Sequence, residues 1–197
     1  SRGHVSDAPD RDLIDRYLAG DPDAFAVLVR RHQALVYSLC VRVLGDPEDA
    51  ADAAQEALVL VARKLDTFRG DARFTTWLHR VTMNVCYDQL RAAKRRPVVR
   101  RLDPDLPEPD LGTPVEDHAD EVAGTRDAAA ALAAVPEEFR VALVLADVQD
   151  LPYDEIAKVL NVPVGTVKSR VHRGRLALAR AMGLAQQEPD PARQTSE

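Results

Sequence analysis

The sequence predicts an all-α protein: two small helical domains joined by an acidic, proline-containing linker. Three observations carry this. Ala- and Leu-rich segments with apolar residues at three- and four-residue spacing dominate the 197 residues, and strand patterns are few. Residues 97–125 hold Pro97, Pro104, Pro107, Pro109 and Pro114 among many acids, a composition that cannot bury a core. Helical patterning resumes beyond that stretch. The expected units are a first domain at 10–96, a linker at 97–125, a second domain at 126–183 and a disordered tail at 184–197.

The polar start to about residue 9 is expected to be disordered. Leu13, Ile14, Tyr17 and Leu18 then mark a short helix that Gly20 ends. Asp21-Pro22 opens the second helix, with Asp as N-cap and Pro at the first helical position. Phe25, Leu28, Val29, Leu35, Val36, Leu39, Cys40, Val43 and Leu44 form its stripe, and Gly45 stops it. Asp46-Pro47-Glu48-Asp49 repeats the start signal, its acids complementing the helix dipole. This third helix buries Ala50, Ala54, Leu58, Val61 and Leu65 and shows Asp52, Gln55 and Glu56 on its other face. Residues 67–73 form a loop with Phe68, Arg69 and Arg73. A fourth helix follows from about Phe74 to Arg96, with Trp77, Leu78, Val81, Val85 and Leu90 as its stripe and a basic end at Arg91, Lys94, Arg95 and Arg96.

The second domain opens with an Ala-rich helix to Val135. Pro136-Glu137-Glu138 starts the next, with Phe139, Val141, Leu143 and Leu145 inward. Ile156, Ala157, Val159 and Leu160 give a short amphipathic helix that must stop at Asn161, the non-Gly residue best suited to a left-handed stop. Pro163 is tolerated in the first turn of the next helix. That helix carries Val167, Val171, Leu176 and Leu178 toward a core and Thr166, Lys168, Ser169, Arg170, His172 and Arg173 on its other face. Pro163 to Gln187 contains no acid and five basic residues. A second helix that is apolar on one side and basic on the other is built for the DNA major groove.

The net charge of −6 divides unevenly: +1 over residues 1–96, −6 over 97–131, +1 over 132–183 and −2 in the tail. The two folded segments therefore keep local basic faces. Nothing resembles a transmembrane span or a signal peptide. Cys40 and Cys86 sit in apolar helical contexts without a CxxC pattern, as reduced, buried thiols of a cytoplasmic protein. The histidines lack zinc-ligand spacing, no phosphate loop or nucleophile elbow is present, and neither catalysis nor a cofactor or metal is expected.

Three blocks in register resemble the bacterial extracytoplasmic-function RNA polymerase sigma factors of the sigma-70 family, in their minimal two-domain form. Asp49-Ala50-Ala51-Asp52-Ala53-Ala54-Gln55-Glu56 is similar to that family's acidic segment. Phe68-Arg69-Gly70-Asp71 with Phe74-Thr75-Thr76-Trp77-Leu78 and Asn84 is similar to the segment that opens and reads the −10 element. Gly165-Thr166-Val167-Lys168-Ser169-Arg170 with His172-Arg173-Gly174-Arg175 is similar to the −35 reader. Ala51, Ala53, Ala54, Val171 and Gly174 depart from the residues usual in the family at those places.

The resemblance implies a four-helix sigma-2 domain and a sigma-4 helix-turn-helix domain that direct core polymerase to promoters. Asp49, Asp52, Gln55 and Glu56 would meet the polymerase beta-prime clamp. Phe68, Arg69, Asp71, Arg73, Trp77, Arg80, Asn84 and Arg91 would read and melt the −10 element, because aromatic surfaces compensate lost stacking and an amide reads a base edge. Thr166, Lys168, Ser169, Arg170, His172, Arg173 and Arg175 would read the −35 element, with Arg170 and Arg173 on bases and Lys168 and Arg175 on phosphates. The acidic linker would thread the polymerase's RNA path. A monomer without membrane contact of its own, exposing a polymerase face and a DNA face at once, implies an anti-sigma partner that occludes them. The alternative is a stand-alone helix-turn-helix regulator, expected to act as a dimer on half-sites.

Overall fold

The computed structural model describes residues 9–95 and 119–183, and among these every regular element is helical. The first half comprises α1 (Asp10–Leu18), α2 (Pro22–Leu44), α3 (Pro47–Lys64) and α4 (Phe74–Arg95). The second comprises α5 (Ala119–Ala134), α6 (Glu137–Leu143), α7 (Tyr153–Leu160) and α8 (Val164–Ala181). A 3-10 turn, Leu65–Thr67, follows α3, and a π-helical segment, Val144–Val148, continues α6.

The junctions follow from the capping residues. Asp21 accepts from the Asp23 N–H, and Asp46 accepts from those of Glu48 and Asp49, each ahead of a proline at the first helical position. Gly45 closes α2 at φ 82°, a left-handed conformation that costs a glycine little. Two polar contacts fasten α1 to α2: Asp10 takes a hydrogen bond from Arg31 at 2.6 Å and faces His32 Nε2 at 2.9 Å. That pairing explains an imidazole on the buried face of α2. Cys40 and Cys86 meet deeper in the same core, with sulfurs 3.7 Å apart, as free thiols. The hydrogen bond between them, with burial, pushes the Cys86 thiol far up its scale.

In the second half α8 crosses α6 at Gly174. A Cβ there would stand 2.9 Å from the Phe139 carbonyl oxygen and 3.1 Å from Leu143 Cβ, so the backbones approach as closely as they do because the methyl is missing. Val141 to Ala146 are six consecutive buried residues. An α-helix buried all round must be enclosed by neighbours; here α8 packs on one side and α2 of the first half on another.

The halves are therefore packed together. α4 lies on α7, and α2 touches α5, α6 and the π segment, giving one continuous core from Leu13 to Val171. Sequence patterning alone suggested two separately exposed units. α4 shows why patterning falls short: it buries Thr76, His79 and Thr82 as well as Phe74, Leu78, Met83, Val85 and Cys86, because it is covered on two sides. Two further expectations are corrected. α5 begins at Ala119, inside the stretch assigned to the linker. Leu176, expected to face the core, is 45 % exposed, since Val167, Val171 and Gly174 define the inward side of α8. Residues 1–8, 96–118 and 184–197, with most of the linker and the tail, lie outside the described residues.

Candidate nucleic-acid interface

The loop between α3 and α4 turns at Gly70, with φ 78°, where the Arg11 side chain passes across the glycine. Behind it stands an aromatic triad. Phe68, Phe74 and Trp77 have ring centroids 5.6, 5.7 and 5.9 Å apart, tilted or edge-on as quadrupoles favour. Phe74 is buried, while Phe68 and Trp77 are half-buried and wall a cleft of about 510 Å3. Trp77 packs against the core and also borders the cleft.

From this cleft the polar −10 candidates run along α4. Trp77, Arg80, Asn84 and Arg91 are spaced by three, four and seven residues, which puts them on one stripe of a helix. At 1.5 Å per residue the stripe spans roughly 21 Å, about six base steps at 3.4 Å. Arg80, Asn84 and Arg91 are exposed, as are Arg69, Asp71 and Arg73 in the loop. Arg91 is shared with Asp88 one turn away.

The opposite wall of the cleft is α7. Thr76 donates to Glu155 Oε2 at 2.6 Å, and the Glu155 carboxyl is held below its ordinary value by that hydroxyl and then by Lys158 at 3.0 Å. His79 donates from Nδ1 to the Thr75 carbonyl at 2.5 Å, and its Nε2 lies 3.2 Å from the Gln149 side-chain amide. Burial pushes this imidazole below its ordinary value, outweighing both hydrogen bonds. His79, Gln149 and Glu155 escaped sequence reading, and Thr76 entered it only as part of a matching block, without this contact. Thr76 and His79 are polar residues on an apolar helix, and only the packing of the halves shows their use.

Asn161 stops α7 at φ 53°, in the left-handed conformation expected of it, and α8 follows after Pro163. The outward side of α8 shows Lys168, Ser169, His172 and Arg173, all exposed, with Thr166 half-buried. Arg173 also lies 5.7 Å over the Phe139 ring. The flanking arginines are engaged. Arg170, 25 % exposed, is 3.5 Å from Glu138 and opposes the upward push that burial gives the Tyr87 hydroxyl on α4. Arg175 makes two hydrogen bonds to Asp147, at 2.9 and 2.7 Å. Arg170, named from sequence as a base reader, thus lies at the flank of α8 toward α6, where it faces Glu138.

On α3, Asp49, Asp52, Gln55 and Glu56 share one exposed stripe, opposite the buried Ala50, Ala53, Ala54 and Ala57. Ala53 and Ala54, small where the family pattern is larger, sit in the core α3 shares with α2 and α4. A groove of about 380 Å3 separates the acids from Leu90 and Ala93 on α4.

Comparison with known proteins matches both regions. The family model for Sigma-70 region 2 matches residues 28–96 and that for Sigma-70, region 4, residues 125–178. The RNA polymerase sigma-H factor of Pseudomonas aeruginosa is 38 % identical, over 88 % of this chain and 93 % of its own length. The chain belongs to the ECF sigma factors of RNA polymerase. The ECF sigma factor SigM of Mycobacterium tuberculosis is likewise 38 % identical, over 88 % of this chain and 85 % of its own. Among solved structures, CnrH in complex with the cytosolic domain of CnrY superposes with a TM-score of 0.64 at 25 % identity, over 89 % and 98 % of the two chains. RpoE of Bartonella quintana, solved with the anti-sigma factor NepR, shares the fold with a TM-score of 0.65 at 22 % identity, over 82 % and 98 %. As an alternative sigma factor the chain serves transcription initiation, and a stand-alone regulator is set aside because the match extends through the first half. Among the described residues no helix is long and apolar enough to cross a membrane, and no group of side chains could hold a metal.

Proposed function

We propose that this sigma factor docks core polymerase through the α3 stripe, melts the −10 element at the Phe68–Trp77 cleft and reads the −35 element with α8. The observation that carries the reading is the α4 stripe, which leads from an aromatic wall past Arg80 and Asn84 to Arg91. A base leaving the stack loses stacking that an aromatic wall restores, by about 1–3 kcal/mol per base. The exposed arginines hold the strand's phosphates, and Asn84 offers both a donor and an acceptor.

On α8 base reading falls to Ser169, His172 and Arg173, a reading their exposure supports, with Lys168 and Thr166 at the edge of that face and on phosphates. Arg170 and Arg175 act first as struts that hold α8 on α6 and the π segment, with Arg175 exposed enough to reach a phosphate as well. Asp49, Asp52, Gln55 and Glu56 present acceptors suited to a basic partner helix of the polymerase clamp. All of this is binding chemistry, and no residue is assigned a catalytic step.

A separate anti-sigma protein, which the family resemblance implies, is the proposed regulator, and CnrH, solved in complex with the cytosolic domain of CnrY, supports a protein partner for this fold. It would occlude the α3 stripe and the promoter-facing surfaces by steric overlap. The docking assignment is tested by co-purification of core polymerase with the full chain. Gln55→Ala with Glu56→Lys should abolish association while circular dichroism stays unchanged, and undiminished association would remove α3 from the interface.

A further inference from the structure

The packing of the two halves creates a composite cleft. Phe68, Trp77, Arg69 and Arg80 come from the first half, and Lys158 and Asn161 from α7. Three cations, Arg69, Arg80 and Lys158, face it with one acid, Asp71. Among the described residues Arg69 and Arg80 make no ion pair, and Lys158 is shared with Glu155 alone, at 3.0 Å. Cations gathered around one concavity repel unless an anion lies between them. The cleft's volume of about 510 Å3 falls within the range of small-molecule sites, roughly 300–1,000 Å3.

The walls add selectivity. Phe68 and Trp77, 5.7 Å apart and tilted by 55°, both line the cleft and give it an aromatic wall. Asn161, exposed and held at φ 53°, offers an amide that donates and accepts. An aromatic wall, a cluster of cations and one amide together match a flat heterocycle carrying several negative charges. A bare phosphate would leave the rings unused, and a nucleoside would leave the cations unneutralised.

We infer that the closed chain binds a free nucleoside di- or triphosphate in this cleft, base against Phe68 and Trp77, phosphates among Arg69, Arg80 and Lys158. The ligand bridges the halves and holds them closed. It occupies the aromatic wall proposed for the −10 strand, so nucleotide and promoter compete. The inference goes beyond the promoter role because Lys158 and Asn161 have no part in that role as assigned above.

Calorimetry on the full chain with ATP tests it, supported by the fluorescence of Trp77, the single tryptophan. Parallel titrations use AMP, adenosine and inorganic pyrophosphate. Saturable ATP binding is expected, with AMP roughly tenfold weaker and adenosine and pyrophosphate weaker still. Lys158→Ala should weaken ATP about tenfold, the loss of one charge-assisted contact. Asn161→Gly, which keeps the left-handed turn, should also weaken it. Absence of saturable ATP binding, unchanged affinity in both variants, or pyrophosphate binding as tightly as ATP would each overturn the inference. Should ATP fail to bind while holoenzyme still melts promoter DNA, the nucleotide site falls and the promoter role stands.

Discussion

Thr76 and Glu155, 79 positions apart in sequence, share a 2.6 Å hydrogen bond that joins the first turn of α4 to the first turn of α7. Thr76 belongs to the block that resembles the −10 reader, and Glu155 to the helix ahead of the −35 reader. Spanning both promoter elements, in the role proposed above, would separate these turns, and on that proposal the bond belongs to a closed state that precedes promoter engagement.

Removing the bond should favour the open state. A hydrogen bond to a charged group contributes about 1.5–3 kcal/mol when buried, and the partial exposure of this pair lowers that to about 1 kcal/mol. Thr76→Val and Glu155→Gln should each shift the closed-to-open ratio about fivefold, read as lower energy transfer between dyes on α3 and α8. Equal transfer in wild type and both variants would show that the bond does not hold the halves.

Acidification should act in the same direction through His79. Burial depresses its folded-state pKa below the ordinary imidazole value of about 6.5. A base with a depressed pKa binds fewer protons in the closed fold than outside it. Its contribution is therefore fully present above about pH 6.5 and is lost as the pH falls from there toward the depressed value. The groups that face it are the Thr75 carbonyl, Gln149 and, by its charge, His32. Thermal melts between pH 8 and pH 5 should fall more steeply for wild type than for His79→Gln. Parallel curves would remove His79 as the titrating group.

Gly174 should not tolerate alanine despite the better helix propensity. The added methyl would meet the Phe139 carbonyl oxygen at 2.9 Å. Overpacking costs about 1–3 kcal/mol, against a propensity gain of about 1 kcal/mol. Gly174→Ala should lower the melting temperature by a few degrees, a net loss of about 1 kcal/mol. A higher melting temperature would mean that α6 and α8 can part without cost.

Much of this was legible in the sequence because it is local. Asp21, Gly45, Asp46, Asn161 and Pro163 announce helix ends through backbone chemistry that operates within a few residues, and each end stands where it was expected. The acid stripe of α3 and the polar stripe of α4 follow from helical periodicity. What escaped is what depends on a distant partner. Glu138 and Asp147 divert Arg170 and Arg175, the covering of α4 by α7 buries Thr76 and His79, and six successive buried residues at Val141–Ala146 fit no surface-helix period. Gly174 reads as a departure from pattern until the Phe139 carbonyl is seen beside it.

On the −35 side, Arg173→Ala should cost about 1–3 kcal/mol and relax sequence preference, because its side chain is on the open face. Arg170→Ala should weaken binding to every promoter variant similarly and lower the melting temperature, as the loss of a strut does. Binding measured on a set of single-base promoter variants separates the two, and identical profiles for both substitutions would contradict the division.

Promoter opening is tested most directly by permanganate reactivity of thymines in a complex of core polymerase, the full chain and the promoter its holoenzyme selects from genomic fragments. Wild type should make thymines of the −10 element reactive. Phe68→Ala should reduce that opening by at least fivefold, the lower bound for one lost stacking partner at about 1 kcal/mol, while core association is retained. Unreactive thymines with wild type, or full reactivity with Phe68→Ala, would contradict the assignment of promoter melting to the Phe68–Trp77 cleft.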